Sequence, residues 1–209
     1  MPTKNYRTKD GNRVSGVTTI IGGNLGWNTQ PLMHWAWNEG KEGRNFRETS
    51  QKAADSGTIA HAMIEADLHG REYKSDAPKE ILDKAETSFL AYLEFKDVVG
   101  LSPIATELSL VSEEWKFGGT IDVATIKKYP AILDLKTSNG VYPDHRIQVS
   151  AYGRLWNENK PETPIQAYYI LQLGKEDGSF HYHYWPELND EWEAFKCLLI
   201  LHGLKKKIK

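Results

Sequence analysis

Between residues 118 and 138 the chain reads GGTIDVATIKKYPAILDLKTS, two strand-like runs joined at Lys127-Lys128-Tyr129-Pro130. In a strand alternate side chains share a face. Leu133 and Leu135 then point one way and Asp134 and Lys136 the other, the two polar groups roughly 6.6–7 Å apart along the chain. Asp122 opposes Ile121 and Val123 in the same way. A turn centred on Lys128 sets Asp122 directly across from Asp134, with Cβ atoms ~4.5–5.5 Å apart on one face; a slip of one residue would put them on opposite faces. Two carboxylates so placed repel, the more so in an apolar surround. A divalent cation between them reverses the sign, and hard oxygen ligands suit Mg²⁺ or Mn²⁺. Lys136 beside them could orient or deprotonate a water, or hold a phosphate oxygen. The plain alternative is a pair of strand-end charges facing solvent with Lys136 as their ion-pair partner, and a lone D-x-K cannot decide between the two.

Three further groups bear on that choice. In SGTIAHAMIEADLHG, residues 56–70, His61 and Glu65 are spaced i, i+4 and share a helix face, and a neutral imidazole is a common ligand for divalent metals. Gly57 is small enough to let that helix approach another backbone. In HRIQVSAYGRLW, residues 145–156, Gln148 and Tyr152 have the same spacing, and their amide and hydroxyl can hydrogen-bond a phosphate, a base edge or Lys136. Glu107, in the strand-like TELSLVS before the hairpin, is another carboxylate for the site or an exposed strand charge.

Taken in order, these residues resemble the PD-(D/E)XK nuclease superfamily, and more narrowly its RecB-like exonuclease branch, which includes phage exonucleases and the mitochondrial genome maintenance exonuclease. A G-T-x-x-H-x-x-x-E helix appears as Gly57, Thr58, His61 and Glu65. A G-x-x-D strand appears as Gly119 and Asp122, the D-x-K strand as Asp134, Leu135 and Lys136, and a Q-x-x-x-Y helix as Gln148 and Tyr152. The match covers about residues 55–155 and the ends only loosely; Pro130 lies four residues before Asp134, displaced from the usual position. The resemblance implies a central mixed β-sheet flanked by helices, a restriction-endonuclease-like core. It implies one or two divalent ions, Mg²⁺ or Mn²⁺, held by His61, Asp122, Asp134 and the Leu135 carbonyl, with Lys136 as catalytic lysine. Glu65 and Glu107 would serve a second metal or stand behind the ligands, and Gln148, Tyr152 and Ser138 would position nucleic acid. The activity implied is that of a DNA exonuclease hydrolysing phosphodiester bonds from DNA ends and engaging single-stranded DNA, in phage or bacterial recombination or repair, with a single-strand annealing protein as a partner of the kind expected. An endonuclease on the same scaffold and a DNA-binding module with a spent active site are the alternatives.

The elements that must position these groups read as helices, then strands, a helix, two strands and a last helix, class α/β or α+β. Residues 14–21 read as a β-branched strand closed by Gly22-Gly23. Residues 31–48 read as a helix, Asp55-Ser56 as the cap of the next, ending at Gly70. Residues 79–99 form a helix whose stripe is Ile81, Leu82, Ala85, Phe89, Leu93 and Val98. Strands are expected near 104–112, 117–126 and 131–137, a helix over 143–158, a hairpin of 165–173 and 179–185, and a helix over 189–203. We expect one nuclease domain over residues 1–209, with its catalytic core at 55–155 and an N-terminal strand and helical region at 1–54.

With 209 residues, 40% of them hydrophobic and 26% charged, the chain can bury a real core. Mean hydropathy is −0.56 and no apolar run approaches the ~18 residues of a membrane span, so no membrane association is expected. The first residues lack an apolar signal core, which points to a cytoplasmic protein. Cys197 is the single cysteine, which excludes a four-cysteine iron–sulfur cluster within the chain; in its apolar run it reads as a buried small hydrophobe. The net charge of −2 neither favours nor excludes a nucleic-acid partner. Trp27, Trp35, Trp37 and Phe46 could stack bases but are better read as core. Arg44 and Arg47, spaced i, i+3, could grip a nucleic-acid backbone or simply face solvent. Lys205-Lys206-Lys207 reads as a solubilising tail rather than a phosphate contact, and HYHYW, residues 181–185, as an edge hairpin rather than a metal site.

Overall fold

The computed structural model of the chain describes residues 4–126 and 129–208. In chain order it contains β1 (Tyr6–Arg7), β2 (Arg13–Gly16), α1 (Val17–Asn24), α2 (Thr29–Lys41), α3 (Phe46–Leu68), α4 (Lys79–Val99), β3 (Pro103–Val111), β4 (Phe117–Ile126), β5 (Pro130–Lys136), α5 (Pro143–Asn159), β6 (Ala167–Leu173), β7 (Phe180–Trp185) and α6 (Asn189–Ile208). The strands lie in the order β1-β2-β4-β5-β6-β7, with β3 on the other side of β4. The sheet is mixed: β2–β4 and β5–β6 are parallel, and the remaining pairs are antiparallel. Helices cover both faces. One apolar cluster joins the sheet to α1, α5 and α6 through Ile20, Ile132, Ile147, Leu155 and Phe195. The other joins it to α3 and α4 through Ile64, Tyr92, Phe95, Leu133 and Leu135. The α/β expectation of a mixed sheet flanked by helices holds.

The β4–β5 register is the one a Lys128-centred turn requires: Val123 pairs with Leu133, Ala124 with Ile132 and Thr125 with Ala131. Lys127 and Lys128 themselves lie outside the described residues. Continued by one step, this register sets Asp122 against Asp134. The ladder stops there, and the strands part.

Strand alternation fails in one informative place. Ile121 and Val123 were expected on a common face, but Ile121 and Ala124 pack in the cluster under α5 while Val123 packs under α3 and α4. On β3, Ala105 and Leu108 likewise border the same cluster although three residues apart. Glu107, between them, has φ 48°, a left-handed backbone that costs a non-glycine residue of order 1–2 kcal/mol. Both strands therefore change face at the level of Glu107 and Asp122.

Several boundaries differ from the sequence reading. The strand expected over 14–21 ends at Gly16, and Val17 starts α1. Val17, Ile20 and Ile21 are all buried, and their i, i+3, i+4 spacing serves a helix as well as β-branching serves a strand. The helix expected over 31–48 ends at Lys41. The next begins not at Asp55-Ser56 but at Phe46, capped by Asn45, whose side chain accepts from the Arg47 N–H at 3.1 Å. Gly70 does follow its end, with φ 64°. The α4 stripe is rotated at its end: Phe95 is buried and Val98 is exposed. Cys197 is exposed rather than buried, because α6 buries the face of Trp192, Phe195 and Leu198. Residues 205–207 are the last turn of α6, not an unstructured tail.

Candidate active site

The groups singled out in sequence converge where β4 and β5 part. The Asp122 carboxylate takes the Leu135 N–H at 2.9 Å, a donor the ended β4–β5 ladder leaves without a strand partner. His61 reaches the same point from α3, with Nδ1 3.8 Å from Asp122 Oδ2. Gly57, one turn earlier, makes this approach feasible: a Cβ there would lie 2.8 Å from Thr137 Oγ1 at the end of β5. On the other side of β4, Glu107 supplies a third group, and ligand atoms of His61, Glu107 and Asp122 all lie within 4.8 Å of one another.

Asp134 stands beside this trio. It is fully buried, its Oδ2 lies 2.6 Å from Lys136 Nζ, and its Oδ1 accepts from Gln148 Nε2 at 3.3 Å. Gln148 holds the cluster together, since its Oε1 also accepts from Lys136 Nζ at 3.3 Å and its Nε2 donates to Tyr152 Oη at 2.9 Å. These contacts need α5 close to β4. Gly119 permits that, for a Cβ there would lie 2.8 Å from Tyr152 Cε1 and 2.9 Å from Leu155 Cδ1.

Burial dominates the electrostatics. It pushes the Asp122, Asp134 and Glu107 carboxyls above their usual range, and for Glu107 the Asp122 charge adds to the effect. Burial and then the Lys136 charge pull His61 down, so its imidazole is neutral at pH 7. For Lys136 burial pulls down, but Asp134 and Asp122 outweigh it and the ammonium is held on. Burial lifts the Tyr152 phenol well above its usual range, so it stays protonated and neutral while its oxygen accepts from Gln148 Nε2.

These residues fit a hard divalent cation. Among the described residues His61 Nδ1 is buried without a hydrogen-bond partner, while the ring also meets the Leu135 backbone, and it is a neutral imidazole facing oxygen donors. Asp122 and Glu107 repel each other, and a cation between them would turn that repulsion into attraction.

Not every expected residue joins the site. Glu65 is ion-paired with Arg71 at 3.2 Å outside the trio, yet its charge reaches Glu107 and helps to raise that carboxyl. Arg44 and Arg47 share no helix face, because Arg44 precedes α3: its guanidinium is bidentate on Glu39, at 2.6 and 2.8 Å, and also contacts Glu42. Arg47 lies over the Phe46 ring. Ser138 borders the site, its hydroxyl on the Gly140 carbonyl at 2.8 Å.

The site opens into a cavity of about 780 Å³. Its wall includes residues that carried no sequence signal, among them Lys4, Arg13, Thr18, Thr19 and Lys206. Lys4 Nζ lies 3.4 Å from Glu107 Oε2. Lys206 donates to Ser15 Oγ at 3.2 Å, across 191 residues of sequence. Only the fold brings these together, so no local spacing could announce them. Among the described residues no helix is long and apolar enough to cross a membrane.

No family model matches the chain, and no curated protein matches it. Among solved structures it is similar to a candidate exonuclease from Eubacterium rectale, with 10% identity and a TM-score of 0.47 over 68% of this chain. The match covers 64% of that protein, so this chain spans less than two thirds of its length. It is also similar to an alkaline exonuclease from Laribacter hongkongensis, LHK-Exo, with 15% identity and a TM-score of 0.36 over 75% of this chain and 90% of that one. The same exonuclease in complex with dAMP matches with 18% identity and a TM-score of 0.32 over the same shares.

Proposed function

We propose that this chain is a divalent-metal-dependent deoxyribonuclease, an exonuclease that hydrolyses phosphodiester bonds from DNA ends and engages a single strand, in phage or bacterial recombination or repair. The observation that carries this reading is the convergence of a neutral imidazole and two carboxylates, His61, Asp122 and Glu107, beside the Asp134–Lys136 pair in an open cavity.

His61, Asp122 and Glu107 would hold the ion, with Asp134 joining once Lys136 turns to substrate and the Leu135 carbonyl as a further oxygen. The ion, Mg²⁺ or Mn²⁺, would supply a positive charge against the phosphoryl oxygens and lower the pKa of water. Lys136 acts as an ammonium, since the acidic neighbours hold its proton. It could hold a phosphoryl oxygen or orient the attacking water; with a cation drawing on Asp122 and Asp134, their hold on its proton would weaken and the same amine could take a proton from that water. Gln148 sets the direction of that ammonium through its Oε1. Tyr152 fixes the Gln148 amide, which can then present only its carbonyl oxygen to Lys136. Ser138, at the end of β5, lies beside the path of the strand.

The test is digestion of end-labelled linear and closed circular DNA, single- and double-stranded, with Mg²⁺, Mn²⁺ or chelator. Linear DNA should be degraded with either metal and circular DNA spared, and Asp134→Ala should reduce cleavage to background while keeping the circular dichroism of the parent. Cleavage of circular single strands would make the enzyme an endonuclease. Binding without cleavage in both metals would make it a DNA-binding module. Normal cleavage by Asp134→Ala would remove Asp134 from the site.

A further inference from the structure

α2 is amphipathic in the wrong sense. Its one buried residue is an acid, Glu39, and most of its large apolar residues face outward: Leu32 is 58% exposed, Met33 62% and Trp37 59%, with Trp27 just before it at 62%, while Trp35 is half-buried edge-on to Phe46. The inward acid is an anchor. Arg44 grips Glu39 through two hydrogen bonds and Thr49 Oγ1 donates to it at 2.9 Å, which ties the end of α2 to the first turn of α3. Arg44 holds the Glu39 carboxyl at a pKa of about 2, so the tie is ionic at any working pH. A soluble helix left to itself would turn Trp37 and Met33 inward. This one is clamped with them outward.

The other end of α2 touches α5, the helix that carries Gln148. Asn28 Nδ2 contacts Asp144 Oδ1 at 3.5 Å, and Asp144 lies in the first turn of α5, one turn before Gln148 and close enough to act on the Lys136 charge. Met33, Trp37 and Lys41 follow at i, i+4 and i+8 on one face, a row reaching away from the site along a helix of about 20 Å at roughly 1.5 Å per residue. Lys41 Nζ sits 4.4 Å above the Trp37 ring, and the His34 ring is 5.9 Å from it. Residues 11–38 contain no Asp or Glu, in a chain with 28 of them. The carboxylates at the two ends of α2 are engaged: Glu39 and Glu42 pair with Arg44, and Asp144 meets Asn28.

We propose that this face of α2, with Trp37 at its centre and Trp27 at its start, is a stacking platform for unpaired bases of a DNA strand whose scissile phosphate lies at the active site. Flat aromatic rings beside an ammonium group, in a stretch without carboxylates of its own and tied at its start to α5, match the alternation of base and phosphate in a single strand. The inference rests on the nuclease reading and adds to it where the unreacted strand runs.

The test is fluorescence anisotropy of a labelled 20-nucleotide oligo(dT), and of an abasic oligomer of equal length, with chelator present so that nothing is cut. Trp37→Ala should weaken oligo(dT) binding roughly 5- to 100-fold, one stacked base being worth about 1–3 kcal/mol. Trp37→Phe should keep most of the affinity, and the abasic oligomer should bind Trp37→Ala and the parent alike. Equal oligo(dT) affinity of parent and Trp37→Ala overturns the platform, as does an equal loss on the abasic oligomer. A parent that self-associates in sedimentation while Trp37→Ala stays monomeric also overturns it, because the face would then be covered by a second copy. DNA cleavage by the parent with unchanged binding by Trp37→Ala sinks the platform and spares the nuclease. A parent that stacks oligo(dT) through Trp37 yet cleaves no DNA sinks the nuclease and supports the platform.

Discussion

Asp122 carries two obligations that conflict. It accepts the Leu135 N–H where the strands part, and it faces Glu107 across β3 and β4 as a like charge. Burial raises both carboxyls, so in the absence of metal the folded state binds their protons more tightly than the unfolded chain does. Stability from this source is fully present below the unfolded values, 3.8 for Asp122 and 4.5 for Glu107, and is lost as pH rises through the higher folded values. Metal removal at neutral pH should therefore destabilise the protein, and a bound cation at a hundred times its dissociation constant should add about 2.7 kcal/mol. Asp122→Asn keeps an oxygen for the Leu135 N–H and removes the charge. Its melting temperature in chelator at pH 7 should be at or above that of the parent, and Mn²⁺ should no longer raise it. A variant that still gains stability from Mn²⁺ as the parent does would remove Asp122 from the metal site. At this scale the sequence was legible where a rule of spacing applied. A turn of fixed length set Asp122 against Asp134, and i, i+4 joined Gln148 to Tyr152. The trio with Glu107 was less legible, because it depends on a left-handed residue within a strand, and nothing in TELSLVS signals one.

The elements that hold these residues were legible where one pattern had one meaning. The strands read near 117–126 and 131–137 and the amphipathic helix read over 143–158 are found as Phe117–Ile126, Pro130–Lys136 and Pro143–Asn159. Where one pattern served two structures, tertiary packing decided. Val17, Ile20 and Ile21 satisfy either element, and the seat against α5 and α6 made them a helix. The outward aromatic face of α2 was misread for a related reason: hydrophobicity predicts burial only when no stronger contact fixes the helix the other way, and here the Glu39–Arg44 pair does. The packing of α5 on β4 gives this scale its prediction. Gly119→Ala drives a methyl into Tyr152 and Leu155, neither of which can move far, since Leu155 is fully buried and Tyr152 nearly so. Overpacking of this kind costs about 1–3 kcal/mol. It should also push Tyr152 off Gln148, so that Lys136 loses its orientation. A melting temperature lowered by several degrees should accompany a fall in turnover beyond what the unfolded fraction explains. A stable Gly119→Ala with full turnover would mean that the α5–β4 distance does not set the lysine.

Across the whole molecule the charge balance of −2 gives no general attraction to phosphate, so any grip on DNA must be local. The fold draws cations from distant parts of the chain to one cavity, where such a grip would have to act: Lys4 from just before β1, Arg13 from β2, Lys136 from β5 and Lys206 from the last turn of α6. That assembly depends on α6 running past residue 203, where the sequence pattern placed its end, and on its docking against β2 and α1. The Ser15 hydroxyl meets His202 at 2.9 Å and the Gly23 carbonyl accepts from Lys205 at 2.9 Å. Three consecutive lysines read alone as a solvated tail because no local rule states what a chain end folds against. Of the three, Lys206 lies in the cavity wall while Lys205 is turned to Gly23, so one charge of the run faces the space a DNA strand would fill. Lys206→Ala should therefore weaken binding of every DNA sequence alike and reduce the slope of log affinity against log salt by roughly 0.7 for a single strand or 0.9 for a duplex, one phosphate contact in either case. The stabilisation by Mn²⁺ should be untouched, since Lys206 is not among the groups that meet at Asp122. Affinity titrations between 50 and 200 mM salt, with the two oligonucleotide forms and chelator present, measure the slope. An unchanged slope would return Lys206 to the solvated surface and leave the grip on DNA to Lys4, Arg13 and Lys136.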